Sequence, residues 1–77
     1  MDKELLNALY TFYEGHIAKA QANLMVYLDN PAGIGEHPDV IEAMDSQIAI
    51  MVENQDKRDA VQAILDNMDK PCKLENG

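Results

Sequence analysis

The ten residues Asn30-Pro31-Ala32-Gly33-Ile34-Gly35-Glu36-His37-Pro38-Asp39 constrain this chain more than any other stretch. They hold two of its three prolines and two of its four glycines. Proline forces the residue before it out of the α region, so a helix arriving from the N-terminal side must end by Asp29 or Asn30. Asn30 tolerates the left-handed conformation that closes many helices. Gly33 and Gly35 free the chain to reverse, and Ile34 between them is placed to plug the end of a core. Pro38 suits the first position of a second helix, while Asp39 with Glu42 makes an Asp-x-x-Glu capping pattern. The stretch is therefore expected to be the turn of an antiparallel, all-α hairpin with helices over about 2–29 and 38–68.

The tract before the turn has the clearer periodicity. Leu6, Tyr10, Tyr13, Ile17, Ala20, Leu24 and Tyr27 follow one another at intervals of 4, 3, 4, 3, 4 and 3, an unbroken heptad seam. A second stripe, Ala8, Thr11, Gly15, Ala18 and Ala22, contains only small residues and lies roughly 160–200° away at 100° per residue. A helix that is apolar or small on opposite faces needs cover on both. Gly15 carries a cost of about 1 kcal/mol in a helix interior. Either another backbone approaches it closely, or it is an incidental glycine beside an aromatic cluster. The seam is assigned to the second helix and the small stripe to an intermolecular contact; the reverse assignment would place the tyrosines, with their polar tips, at an interface rim. Asn7, Glu14 and Gln21 form a narrow polar strip, and His16, Lys19 and Asn23 form a second polar patch. A lone histidine beside a lysine reads as a surface residue.

After the turn, Val40, Met44, Ile48 and Met51 form an apolar face joined by Ile41, Ala43 and Ile50, and Val61, Ile64, Leu65 and Met68 resume it. Between them Glu53-Asn54-Gln55-Asp56-Lys57-Arg58-Asp59 is polar at all seven positions. Two turns of helix cannot be half buried there without placing some of these in the contact. Polar residues at seam positions cost stability and fix register. A break near 53–59 is the alternative, but the stretch has no glycine or proline, which favours one continuous helix. Met25, Met44, Met51 and Met68 lie on or near the apolar faces, as core or as an adaptable surface. Residues 1–69 thus read as the hairpin and 70–77 as a flexible tail.

Composition limits the function classes. A 77-residue chain rarely buries enough apolar surface to stand far above its unfolded state, and other small domains add disulfides, metals or further subunits. Its one cysteine, Cys72, permits no internal disulfide and no cysteine-rich zinc site. Glu36, His37 and Asp39 make a poor metal site, and capping accounts for Asp39 without one. That leaves self-association, as a homodimer or higher oligomer. Fourteen acidic against six basic residues, net −8, argue against nucleic-acid binding and against docking on anionic membranes, while leaving a basic protein partner open. No run suits a signal peptide or a membrane span, so a cytoplasmic protein is expected. The chain lacks a nucleophile–base pair, a phosphate-cradling glycine loop and a two-histidine metal motif. It is expected not to be an enzyme and to need no cofactor.

The run His16-Ile17-Ala18-Lys19-Ala20, followed by Val26-Tyr27-Leu28-Asp29 and the turn through to Val40, resembles a pattern in small uncharacterised proteins of tailed bacteriophages. The Asn-Pro-x-Gly-Ile-Gly-Glu-His turn is its most specific part. The resemblance implies a viral setting, host cytoplasm or virion, and carries no activity. Two roles fit: a small acidic module that binds a host or viral protein through a helical face, or a virion or scaffold-type assembly component.

Overall fold

The computed structural model describes residues 3–29 and 40–69, and every structural statement below concerns those. The predicted turn residues, Asn30, Pro31, Gly33, Ile34, Gly35, Pro38 and Asp39, lie outside them, as does the tail 70–77. Two helices make up the described chain: α1 over Lys3–Asp29 and α2 over Val40–Asp69. At 1.5 Å per residue they are about 40 and 45 Å long. They pack against each other as an all-α hairpin.

Four contacts fix the antiparallel register. Lys3 pairs with Asp69 at the open end. The Arg58 guanidinium stands 3.9 Å from the Glu14 carboxylate, and the Lys57 ammonium sits 5.7 Å from the centre of the Tyr13 ring. Toward the other end, the Asn23 amide donates to the Gln47 side-chain oxygen at 3.1 Å. This register sets Leu6 opposite Leu65, Tyr10 opposite Val61, Ile17 opposite Asn54 and Ala20 opposite Met51.

All seven members of the α1 seam are buried or half-buried, with Ile17 6% and Ala20 1% exposed. The expectation that this seam faces the second helix holds. Helix α2 runs through the polar stretch 53–59 without interruption, as preferred from the missing glycine and proline. Its inward line is Val40, Met44, Gln47, Met51, Asn54, Arg58, Val61, Leu65 and Met68, all buried or half-buried and spaced alternately by four and three.

That line corrects the apolar face read from the sequence. Ala43, Met44, Met51 and Met68 do face inward, but Ile41, Ile48, Ile50 and Ile64 are exposed. The reason is geometric. A straight seven-residue repeat on α1 accepts only a straight seven-residue repeat opposite, and the α2 line that satisfies it passes through Gln47, Asn54 and Arg58. Each of these polar groups has a partner: Gln47 accepts from Asn23, the Asn54 side-chain amide donates to the Ile50 carbonyl at 2.8 Å, and Arg58 reaches Glu14 and Asp59. Partnered polar groups lower the penalty of the seam enough for register to prevail over the isoleucines.

Candidate functional site

A pair of helices has one mutual face, so most of each remains outside. Four apolar residues are buried in the described hairpin: Ile17, Ala20, Val61 and Leu65. A longer series of large apolar side chains lies open to solvent on both helices. The candidate site is this outward surface, and it divides into two unlike halves.

On α1, Ala8, Thr11, Gly15, Ala18 and Ala22 are all exposed on the side opposite the seam. At 100° per residue, Leu5, Phe12 and Val26 flank the same line, and they are 58–68% exposed. Thr11 turns its hydroxyl back to donate to the Asn7 carbonyl at 3.0 Å, one turn earlier. Its polar atom is thereby satisfied within the helix, and its methyl group is left for any neighbour. A Cβ added at Gly15 would meet nothing within 4 Å. The hairpin's own packing therefore gives no reason for glycine at this position. Thr11, Phe12, Gly15, His16 and Lys19 line a shallow open depression there. The Phe12 and His16 rings form one wall, edge to face with centroids 4.5 Å apart.

On α2 the outward surface is acidic. The helix carries seven acidic residues (Glu42, Asp45, Glu53, Asp56, Asp59, Asp66 and Asp69) against Lys57 and Arg58 alone. Both cations are engaged, Lys57 with Glu53 at 2.9 Å and Arg58 with Glu14 and Asp59. The hydrogen bond from Lys57 holds the Glu53 carboxyl below its usual range and raises the Lys57 ammonium in return. Ile41, Ile48 and Val52 share one line amid this charge, spaced by seven and four, and are 76%, 46% and 50% exposed. The α1 helix has three acidic residues against two basic ones, and between Leu5 and Leu28 only Glu14 and Lys19 are charged.

A groove between the helices is lined by His16, Lys19, Ala20, Asn23, Gln47 and Ile50. It places a histidine and a lysine near two carboxamides, but Asn23 and Gln47 are bonded to each other. Among the described residues, no three His, Cys, Asp or Glu side chains form a group that could hold a metal ion. The Glu36, His37 and Asp39 cluster lies outside those residues. No described helix is long and apolar enough to cross a membrane. The chain matches no protein-family model, no curated protein and no solved structure.

The outward isoleucines of α2 are the feature that sequence reasoning missed. Gln47 was the available signal: it continues the four-three line from Met44 to Met51 and displaces Ile48 from it.

Proposed function

We propose that this protein is a non-enzymatic, acidic protein–protein interaction module that holds a host or viral protein against a helical face. One observation carries the reading: the hairpin keeps few apolar side chains inside and leaves many large ones outside. Soluble monomers rarely expose contiguous apolar surface without a use for it. The α2 line suits a foreign partner. Ile41, Ile48 and Val52 offer apolar anchors, and the surrounding carboxylates complement a basic amphipathic helix, a common mode of helix recognition. The turn's resemblance to phage proteins supports a viral setting, with the partner in a bacterial cytoplasm.

The test is a photo-crosslinking residue at Val52 in bacterial lysate. A discrete, basic crosslinked protein is expected, and Ile41→Ser with Ile48→Ser should abolish the product while helix content is retained. A product that survives the double substitution would place the partner elsewhere. No product beyond the chain's own would defeat the reading for this face.

A further inference from the structure

The polar patch of His16, Lys19 and Asn23 has no part in the α2 contact, and the fold sets it in the groove between the helices. We infer that this groove binds a small aromatic oxyanion. Its carboxylate or phosphate head is held by His16, Lys19 and Gln47, and its ring lies over Gly15 beside Phe12.

One seam residue accounts for the groove. Ala20 is the only small member of the α1 seam, and it is 1% exposed. A methyl group in a row of leucines, an isoleucine and tyrosines leaves a notch of about 240 Å³ where the helices meet. His16, Lys19 and Asn23 are three and four residues apart, so they stand along one edge of α1 beside it. Gln47 and Ile50 line it from α2. A shallower depression of about 280 Å³ shares His16 and Lys19 with the groove and continues over Gly15 to Phe12.

Charge selects the ligand. The chain has 14 acidic residues against six basic ones, yet no residue lining either hollow is acidic. Lys3, Lys57 and Arg58 are each paired with a carboxylate. Lys19, the remaining cation of the two helices, has no carboxylate partner among the described residues. The bond between Asn23 and Gln47 uses a hydrogen of the first and the oxygen of the second, and neither hydrogen of the Gln47 amide. An ammonium, an imidazole and an amide group thus stand together as donors, the set that an oxyanion accepts from. Size limits the ligand. Pockets for drug-sized molecules begin at about 300 Å³, so the groove takes the head alone and the body must lie in the neighbouring depression. A Cβ at Gly15 would meet nothing within 4 Å, which leaves a flat floor for a ring. The Phe12 ring, edge to face with His16 at 4.5 Å, gives that ring an aromatic neighbour.

The experiment is a nuclear magnetic resonance titration of the full isotope-labelled chain with phenyl phosphate, benzoate and inorganic phosphate, at neutral pH and fixed ionic strength. An aromatic probe should shift the resonances of His16, Lys19, Asn23 and Gln47 saturably, with a Kd of about 1 mM. The tighter of phenyl phosphate and benzoate identifies the head. Lys19→Met should weaken that probe about tenfold or more, and Lys19→Arg should keep it within about threefold. Lys3→Met removes the same charge at the open end and should leave binding unchanged. Gly15→Leu should fill the depression and weaken the aromatic probe, while the hairpin's melting temperature holds or rises. The inference is overturned if neither aromatic probe saturates below about 20 mM, or if Lys3→Met weakens binding as much as Lys19→Met. Inorganic phosphate binding as tightly as phenyl phosphate would also overturn it, because the ring would then have no place. None of these outcomes touches the Val52 crosslink, which fails or succeeds separately.

Discussion

The two sides of the seam are built differently. Helix α1 contributes Leu6, Tyr10, Tyr13, Ile17, Ala20, Leu24 and Tyr27, apolar or aromatic from end to end. Helix α2 answers with apolar residues at both ends and Gln47, Asn54 and Arg58 among them. Bulk burial explains the first side but not the second. Apolar side chains in a seam can slide by a heptad with little loss, whereas Gln47 and Arg58 find Asn23 and Glu14 in only one register. One side supplies adhesion, and the other supplies position.

Truncation of the adhesive side should have the largest effect. Ile17→Ala removes the most buried large side chain of α1, and the expected loss is about 2–4 kcal/mol, read as a fall in the urea midpoint. Because so small a hairpin has little stability to lose, much of the variant should be unfolded at room temperature. An unchanged midpoint would show that adhesion resides elsewhere.

Asn54→Leu sharpens the comparison from the other side. Asn54 is only 8% exposed and faces Ile17 across the seam. Replacing it should stabilise the hairpin by about 1 kcal/mol, because an apolar pair replaces a desolvated amide. Register should loosen at the same time, seen as a lower yield of the disulfide between Asn23→Cys and Gln47→Cys. Higher stability with unchanged yield would reduce Asn54 to a passenger.

A smaller effect is expected at the Asn23–Gln47 bond itself. Either single change to alanine should cost about 0.5–1.5 kcal/mol, and the double-mutant cycle should show that the two are coupled. Additivity would remove this pair from the positioning side.

Lys57→Met should move stability least, and only between the pH extremes, where the Glu53–Lys57 pair is intact. Glu53 is depressed below its usual 4.5 by Lys57, so its contribution is present at neutral pH and fades as pH falls through the folded-state value. Lys57 is raised above its usual 10.5 by Glu53, so its contribution is complete at neutral pH and fades as pH climbs through the folded-state value. Both ends of the pH–stability curve should flatten slightly in Lys57→Met, since exposed pairs of this kind contribute little.

The comparison also explains what could be read from the chain alone. The α1 seam was legible because every member is apolar, and apolar spacing is the signal a sequence carries most strongly. The small stripe was legible for the same reason, and the outward position of Ala8, Thr11, Gly15, Ala18 and Ala22 follows from the seam's direction. The α2 face was misread because its register belongs to α1. Isoleucines 41, 48, 50 and 64 outweigh Gln47, Asn54 and Arg58 in any local measure of hydrophobicity, and only the facing helix decides which set goes inside. The continuity of α2 through 53–59 could be read from the absence of a breaker, a property local to that stretch.

The pairing of Lys3 with Asp69 has a kinetic meaning. Those residues are 66 apart in sequence, whereas Asn23 and Gln47 are 24 apart. Joining the former from an open chain costs about 0.9 kcal/mol more in loop entropy, and each pair formed nearer the Asn23–Gln47 end shortens the loop still to be closed. The helices should therefore zip from the Asn23–Gln47 end and fray from the Lys3–Asp69 end. Amide hydrogens beside Leu6 and Leu65 should exchange with solvent faster than those beside Ala20 and Met51.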